Sequence, residues 1–322
     1  PSAIIGLTGY DEKYDENFEE FRKSLWVLIK YRRDEREWLN KIREKVLYFM
    51  KAKKDLIKDY QIDNKCDCAI IVAVQTEFEA VKNCGLDWKP VENINDSTKY
   101  YKTITESGKI LVLARQHQMG MVAASLLTEK LINHFNPSLV CMLGIAAGRE
   151  GEVKLGDIII VNESWDYGSG KIKSSSDGHG YILEPEPHQL AIDINLKEYF
   201  LLDFDDKLYR IRKDWNNGHG KRIDTDIKLH IGALASGAAV LQSEDVVTEF
   251  IQPQNRKVLG IDMETYAVYY AAINATQSSK FLSIKAVCDF ANQYKNDNYQ
   301  DYAAFVSTQF FVRVLDDVLA RV

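Results

Sequence analysis

The sequence carries no excess of positive charge. Its 322 residues hold 41 Lys and Arg against 47 Asp and Glu, a formal charge of −6. That balance argues against a general nucleic-acid or membrane surface. It leaves room for a small anionic ligand, which needs only a local cluster of Lys or Arg. A disulfide framework is missing as well. The five cysteines, Cys66, Cys68, Cys84, Cys141 and Cys288, are odd in number and lie mostly in apolar runs, a pattern of reduced thiols in a cytoplasmic protein. Cys66 and Cys68 form a C-x-C without a second pair, so a structural zinc site lacks ligands. No apolar run approaches the ~18 residues of a membrane span, and no signal-peptide pattern is present.

What is there is an ordinary globular composition, 46% hydrophobic and 27% charged, with length for one large α/β domain or two domains. Residues 1–58 read as strand, helix, strand, helix: SAIIGLTG, DENFEEFRKS, LWVLIKY and the amphipathic REWLNKIREKVLYFMKAKK, with Trp38, Ile42 and Val46 at i+4 spacing. Two strands alone leave edges uncovered, so this piece docks on something or is half of a domain. Residues 59–67 read as a charged connector, and residues 68–322 as one domain. There, CAIIVAVQ, KILVLARQ, SLVCMLGI, GDIIIVNES, LHIGALAS, RKVLGID and FLSIKAVCD are strand candidates. Helical runs such as MVAASLLTEKLINHF and ETYAVYYAAINA stand between several of them. The alternation predicts an α/β three-layer sandwich with a mixed central sheet. Residues 168–227 are more polar and read as a loop plus an inserted helical segment.

In such folds ligands collect at the carboxyl ends of the strands. Acids stand at three of those ends: Glu77 after CAIIVAVQ, Glu264 after RKVLGID and Asp289 after FLSIKAV. Glycine loops follow two other strands. Each acid has a plain alternative, since a carboxylate also suits a helix N-terminus or an exposed helix face.

Residues 66–322 resemble the nucleoside phosphorylase and nucleosidase superfamily, which includes methylthioadenosine/S-adenosylhomocysteine nucleosidase. The resemblance rests on LGIAAGREGEVKLGDIIIVNES, GIDMETYAV, AVCDFAN and IIVAVQTEFEAV, in the family's order. It implies that Asp289, beside Phe290, donates a proton to a departing purine, which requires a carboxyl that stays protonated near neutral pH. It implies that Met263 packs on the ribose, that Glu264 accepts from its hydroxyls and that Glu77 handles the attacking water. Gly144 and Ala146 belong to the glycine-rich loop, and backbone near Val240 and Leu241 reads the purine. The sequence departs from the family at Cys288, where serine is usual, at Asn292, where aspartate is usual, in the GIAAG loop and near Ala238.

Phosphorolysis needs a phosphate site, usually arginine with backbone N–H groups. The positions where phosphorylases carry arginine hold QTEFEAV and CML, and Glu77 would repel an anion, so hydrolysis is the expectation. Arg115 and His117, in a phosphorylase-like HQMG setting, keep phosphorolysis open. With Lys171 and Lys173 of GSGKIKSSS they could instead accept a 5′ phosphate chain, whereas a thioether substrate calls for an apolar pocket. The first segment resembles half of a phospho-receiver domain, with Thr8 and Lys30 at its strand ends. The phosphoacceptor Asp and the acidic pair of that family are not in this sequence. A receiver-like piece ahead of a nucleosidase resembles anti-phage effectors that hydrolyse ATP or dATP. That resemblance implies an upstream phosphotransfer or sensor protein, a homo-oligomer, and no cofactor beyond magnesium arriving with a triphosphate. A housekeeping nucleosidase, a phosphorylase and an inactive nucleotide sensor are the alternatives.

Overall fold

The computed structural model describes residues 4–8, 26–30, 42–44, 46–48, 51, 65–92, 94, 96–175, 180–218, 222–292 and 299–322. The chain divides into two compact units, Pro1–Asn64 and Lys65–Val322. In the first, β1 (Ile4–Thr8) and β2 (Trp26–Lys30) pair in parallel, so that Thr8 and Lys30 stand opposite each other at the strand ends. The described residues between 42 and 51 are helical. The helix expected over DENFEEFRKS lies outside the described residues, as does most of the expected connector. The connector's last residues differ from expectation. The Cys66 N–H donates to Phe135 O and Asp67 accepts from the Ile110 N–H, which ties this stretch into the second unit.

The second unit runs β3 (Cys68–Val72), α1 (Gln75–Lys82), β4 (Lys89–Pro90), β5 (Tyr100–Ile104), β6 (Ile110–Arg115), α2 (Met121–Phe135), β7 (Leu139–Gly148) and β8 (Ile158–Asp166). It continues through β9 (Gly170–Ser174), β10 (Tyr181–Pro185), β11 (Leu190–Ala191), α3 (Ile194–Tyr199), α4 (Asp205–Gly218) and β12 (Leu229–Ser236). A π-helical turn at Val246–Ile251, then β13 (Val258–Asp262), α5 (Thr265–Asn274), β14 (Lys280–Asp289) and α6 (Gln300–Leu319) complete it. Ten strands form one mixed sheet. β3 pairs in parallel with β6 and β7, β7 with β14, and β12 with β8 and β13, whereas β14–β8 and β13–β7 are antiparallel. The path β7–β14–β8–β12–β13 returns to β7, so this part of the sheet closes on itself.

Helices α1 and α6 pack together, as do α2 and α5, and both pairs rest on the sheet. Every residue of β3, and eight of the ten in β14, are buried, as a strand covered on both faces requires. The closed path gathers the strand ends. Ala147 on β7 stands opposite both Ile261 of β13 and Asp289 of β14, and Ser236 opposite Asp262. Residues 170–174 and 181–185 differ from the expected loop, since β9 and β10 form a separate antiparallel pair. The alternating K-I-K-S and Y-I-L-E residues fit a pleated pair despite the surrounding Gly and Ser. Among the described residues no helix is long and apolar enough to cross a membrane.

Candidate active site

The strand ends wall a cleft of about 710 Å³, counted to its open mouth, which Glu77, Glu264 and Asp289 all line. Met263, Ala146, Val240 and Leu241 line it too. Glu77 stands in the first turn of α1 yet is buried. Its Oε2 accepts from the N–H groups of Ala73 and Val74 at 2.6 and 3.0 Å, and its Oε1 from the Ile145 N–H at 2.9 Å. Gly144 does not line the cleft; it makes room for this carboxylate. A Cβ at 144 would fall 1.9 Å from Glu77 Oε1.

Glu264 begins α5, but its carboxylate turns away from its own helix. Oε1 accepts from Gln116 Nε2 at 3.2 Å and from the Gly120 N–H at 2.9 Å. Helix capping falls to Asp262 instead, which accepts from the Thr265 N–H and hydroxyl and from the Ser236 hydroxyl. Burial raises Glu264 from the ordinary 4.5 to about 7, with the Asp262 and Glu77 charges adding to it and Lys285 and the Gly120 N–H acting against it. Asp289 is 6% exposed. Its Oδ1 accepts from the Ala291 N–H at 2.8 Å, and the Cys288 thiol donates to Oδ2 at 3.3 Å. Tyr167 supports the far wall. Its hydroxyl donates to Ala239 O, and Gly237 crosses so closely that a Cβ would meet the tyrosine ring at 2.1 Å.

Two participants escaped the sequence reading. Lys285, on β14, is wholly buried, and its ammonium lies 3.2 Å from Asp262 Oδ2. The contact is a buried ion pair. Asp262, Glu77 and Glu264 together hold the lysine above its usual range, although burial itself acts against the charged form. Gln116, 2% exposed, ties Glu264 to the end of β6, and its Oε1 has no partner among the described residues. A lone charged residue in an apolar strand run was the available signal for Lys285.

Several expected residues stand elsewhere. Phe290 does not line the cleft: it follows the last residue of β14 and packs on the main core. Arg115 and His117 line a different cavity, behind Gln116. Lys171 and Lys173 are exposed on the β9–β10 hairpin, where Lys173 pairs with Glu184 at 2.5 Å. Among the described residues no cluster of three or more His, Cys, Asp or Glu is arranged to hold a metal ion.

Comparison with known proteins bears on this geometry. Residues 67–318 match the phosphorylase superfamily. The uncharacterized protein y4jS of Sinorhizobium fredii is 31% identical over 336 aligned positions, covering 100% of this chain and 79% of that protein. A 5′-methylthioadenosine/S-adenosylhomocysteine nucleosidase of Haemophilus influenzae is 24% identical, over 77% of this chain and 96% of its own. The ATP nucleosidase Cap17 of Escherichia coli is 24% identical over 60% of this chain, which is 39% of Cap17. The crystal structure of the Neisseria meningitidis 5′-methylthioadenosine/S-adenosylhomocysteine nucleosidase with methylthio-immucillin-A shares the fold. Its TM-score is 0.58 at 22% identity, covering 78% of this chain and 98% of that one.

Proposed function

The chain belongs to the phosphorylase superfamily, and on that premise we propose that it hydrolyses the N-glycosidic bond of a purine nucleotide, with ATP or dATP as first substrate. The observation that carries this reading is the meeting of Glu77, Glu264 and Asp289 on one cleft. Adenine leaves poorly as an anion. Asp289 donates a proton to its N7, a contribution of ~10²–10⁴ in rate. Glu264 accepts hydrogen bonds from the 2′ and 3′ hydroxyls, and its negative charge favours the oxocarbenium-like transition state. Met263 packs on the sugar, while backbone at Val240 and Leu241 borders the base. Glu77 orients and deprotonates a water, which adds to the anomeric carbon as the base departs, so that ATP and water yield adenine and ribose triphosphate.

Hydrolysis over phosphorolysis is supported by charge. Among the described residues lining the cleft there is no Lys, Arg or His, so an attacking phosphate would meet carboxylates alone. The similarity to Cap17 supports ATP. The receiver-like arrangement of the first unit, with Thr8 opposite Lys30, supports a defence effector switched by an upstream phosphotransfer protein. A second substrate, a thioether nucleoside, is favoured by the apolar Met119, Val240 and Leu241 in the cleft.

The test incubates the full chain with ATP, dATP, AMP and methylthioadenosine and resolves free base by chromatography. Adenine release from ATP, lost in Asp289→Asn with the circular dichroism unchanged, is the expected result. Ribose 1-phosphate as product, or a rate proportional to inorganic phosphate, refutes hydrolysis. Tight nucleotide binding without base release makes the protein a sensor.

A further inference from the structure

Two cavities of opposite charge share a wall. The cleft is lined by Glu77, Asp262, Glu264 and Asp289 and by no described basic side chain. The second cavity, about 530 Å³, is lined by Arg115, His117 and Lys130 and by no described acid, with the apolar Val122 and Leu126 of α2 among its other walls. Two hydrogen-bonded side chains form the wall: Gln116 lines the second cavity and donates to Glu264, which lines the first. Over the top of that wall run His117, Gln118 and Met119, all exposed. Met119 is half-exposed and lines the cleft, so it stands at the mouth. His117 is two residues away, a span of at most about 7 Å.

We infer that the Arg115–His117 cavity receives the 5′ phosphate chain of the nucleotide whose base and sugar occupy the cleft. The inference rests on the nucleotide reading above. A chain leaving the ribose across Met119 passes from carboxylates to cations without crossing the core. Arg115 ends β6, level with the end of β3 through its pairing with Val72, and so faces the same rim as the catalytic strand ends. Lys130 contributes less, because its ammonium lies 3.6 Å from Asp96 and donates to Thr98. Arg115 is therefore the principal charge, and its planar fork suits phosphate oxygens.

The test compares kcat/KM for base release from ATP, AMP and adenosine in the full chain. The wild type prefers ATP. Arg115→Gln lowers the ATP-to-adenosine ratio ~10- to 100-fold, the range of a charged hydrogen bond, and Arg115→Lys lowers it less, since a point charge remains. His117→Gln, on the exposed rim, is a second variant that spares the core and lowers the ratio in the same direction. An unchanged ratio in both glutamine variants, or a wild-type ratio near one with base released from all three compounds, overturns the inference and leaves the nucleosidase reading standing. Failure to release base from any compound overturns that reading and the inference with it. Faster adenosine cleavage on adding inorganic phosphate, with ribose 1-phosphate formed, assigns the cavity to a co-substrate and overturns the inference too.

Discussion

Glu264 sets stability against activity, and the conflict can be measured. The carboxyl is 5% exposed. Burial, then Asp262 and Glu77, raise it from 4.5 to about 7, while Lys285 and the Gly120 N–H lower it. The folded protein therefore holds a proton that the unfolded chain releases at lower pH. This contribution to stability is complete below pH 4.5 and is lost as pH rises through about 7. At ~1.4 kcal/mol per pKa unit the interval amounts to about 3 kcal/mol, large against a typical stability of ~5–15 kcal/mol. Glu264→Gln does not titrate, and its amide oxygen can still accept from Gly120. Urea unfolding of both proteins in steps from pH 4.5 to 8 should show the variant gaining on the wild type by about 3 kcal/mol across the range. On the proposed function, base release by the wild type should rise over the same interval, because that reading has the ionised Glu264 accept from the ribose. A stability difference that stays flat, or that slopes the other way, would refute the raised Glu264 carboxyl.

Two further perturbations probe the groups around it. Gly144→Ala puts a Cβ 1.9 Å from Glu77 Oε1 and 2.4 Å from its Cδ, and three backbone N–H groups hold that carboxylate in place. Displacement of Glu77 should lower kcat ~10²-fold or more, and an unaltered kcat would remove Glu77 from the chemistry. Lys285→Met leaves Asp262, Glu77 and Glu264 without their buried cation and should cost ~3–5 kcal/mol at pH 8. The loss should shrink at pH 5, where Glu264 carries a proton; urea midpoints showing equal losses at both pH values would contradict the charge cluster.

How far the sequence leads depends on the kind of signal. Glu77, Glu264 and Asp289 are legible because each follows an apolar strand run, and strand ends are where such sheets bind ligands. The boundaries of α2 are legible from its apolar periodicity, which matches Met121–Phe135 residue for residue. Lys285 is not, because a run such as FLSIKAV states that a strand is buried without stating what faces the lysine from other strands. The division between Glu264 and Arg115 is equally silent in sequence. It depends on which side of one buried glutamine each group stands, and Gln116 gives no such sign alone. Lys171 and Lys173 were misled by composition: Gly and Ser suggested a phosphate loop, whereas cross-strand pairing with Tyr181–Pro185 fixes a hairpin.

The closed path of strands also bears on the order of synthesis. β14 is wedged between β7 and β8, and it leaves the ribosome after every other strand of this closed path. Until residue 289 emerges, the strand pairs among the described residues that join the β8–β12–β13 ribbon to β7 are Gly260–Gly148 and Ile261–Ala147. A nascent chain thus lacks both the buried ammonium of Lys285 and the wall of the cleft that Cys288 and Asp289 supply, so the cleft is completed only when β14 is seated.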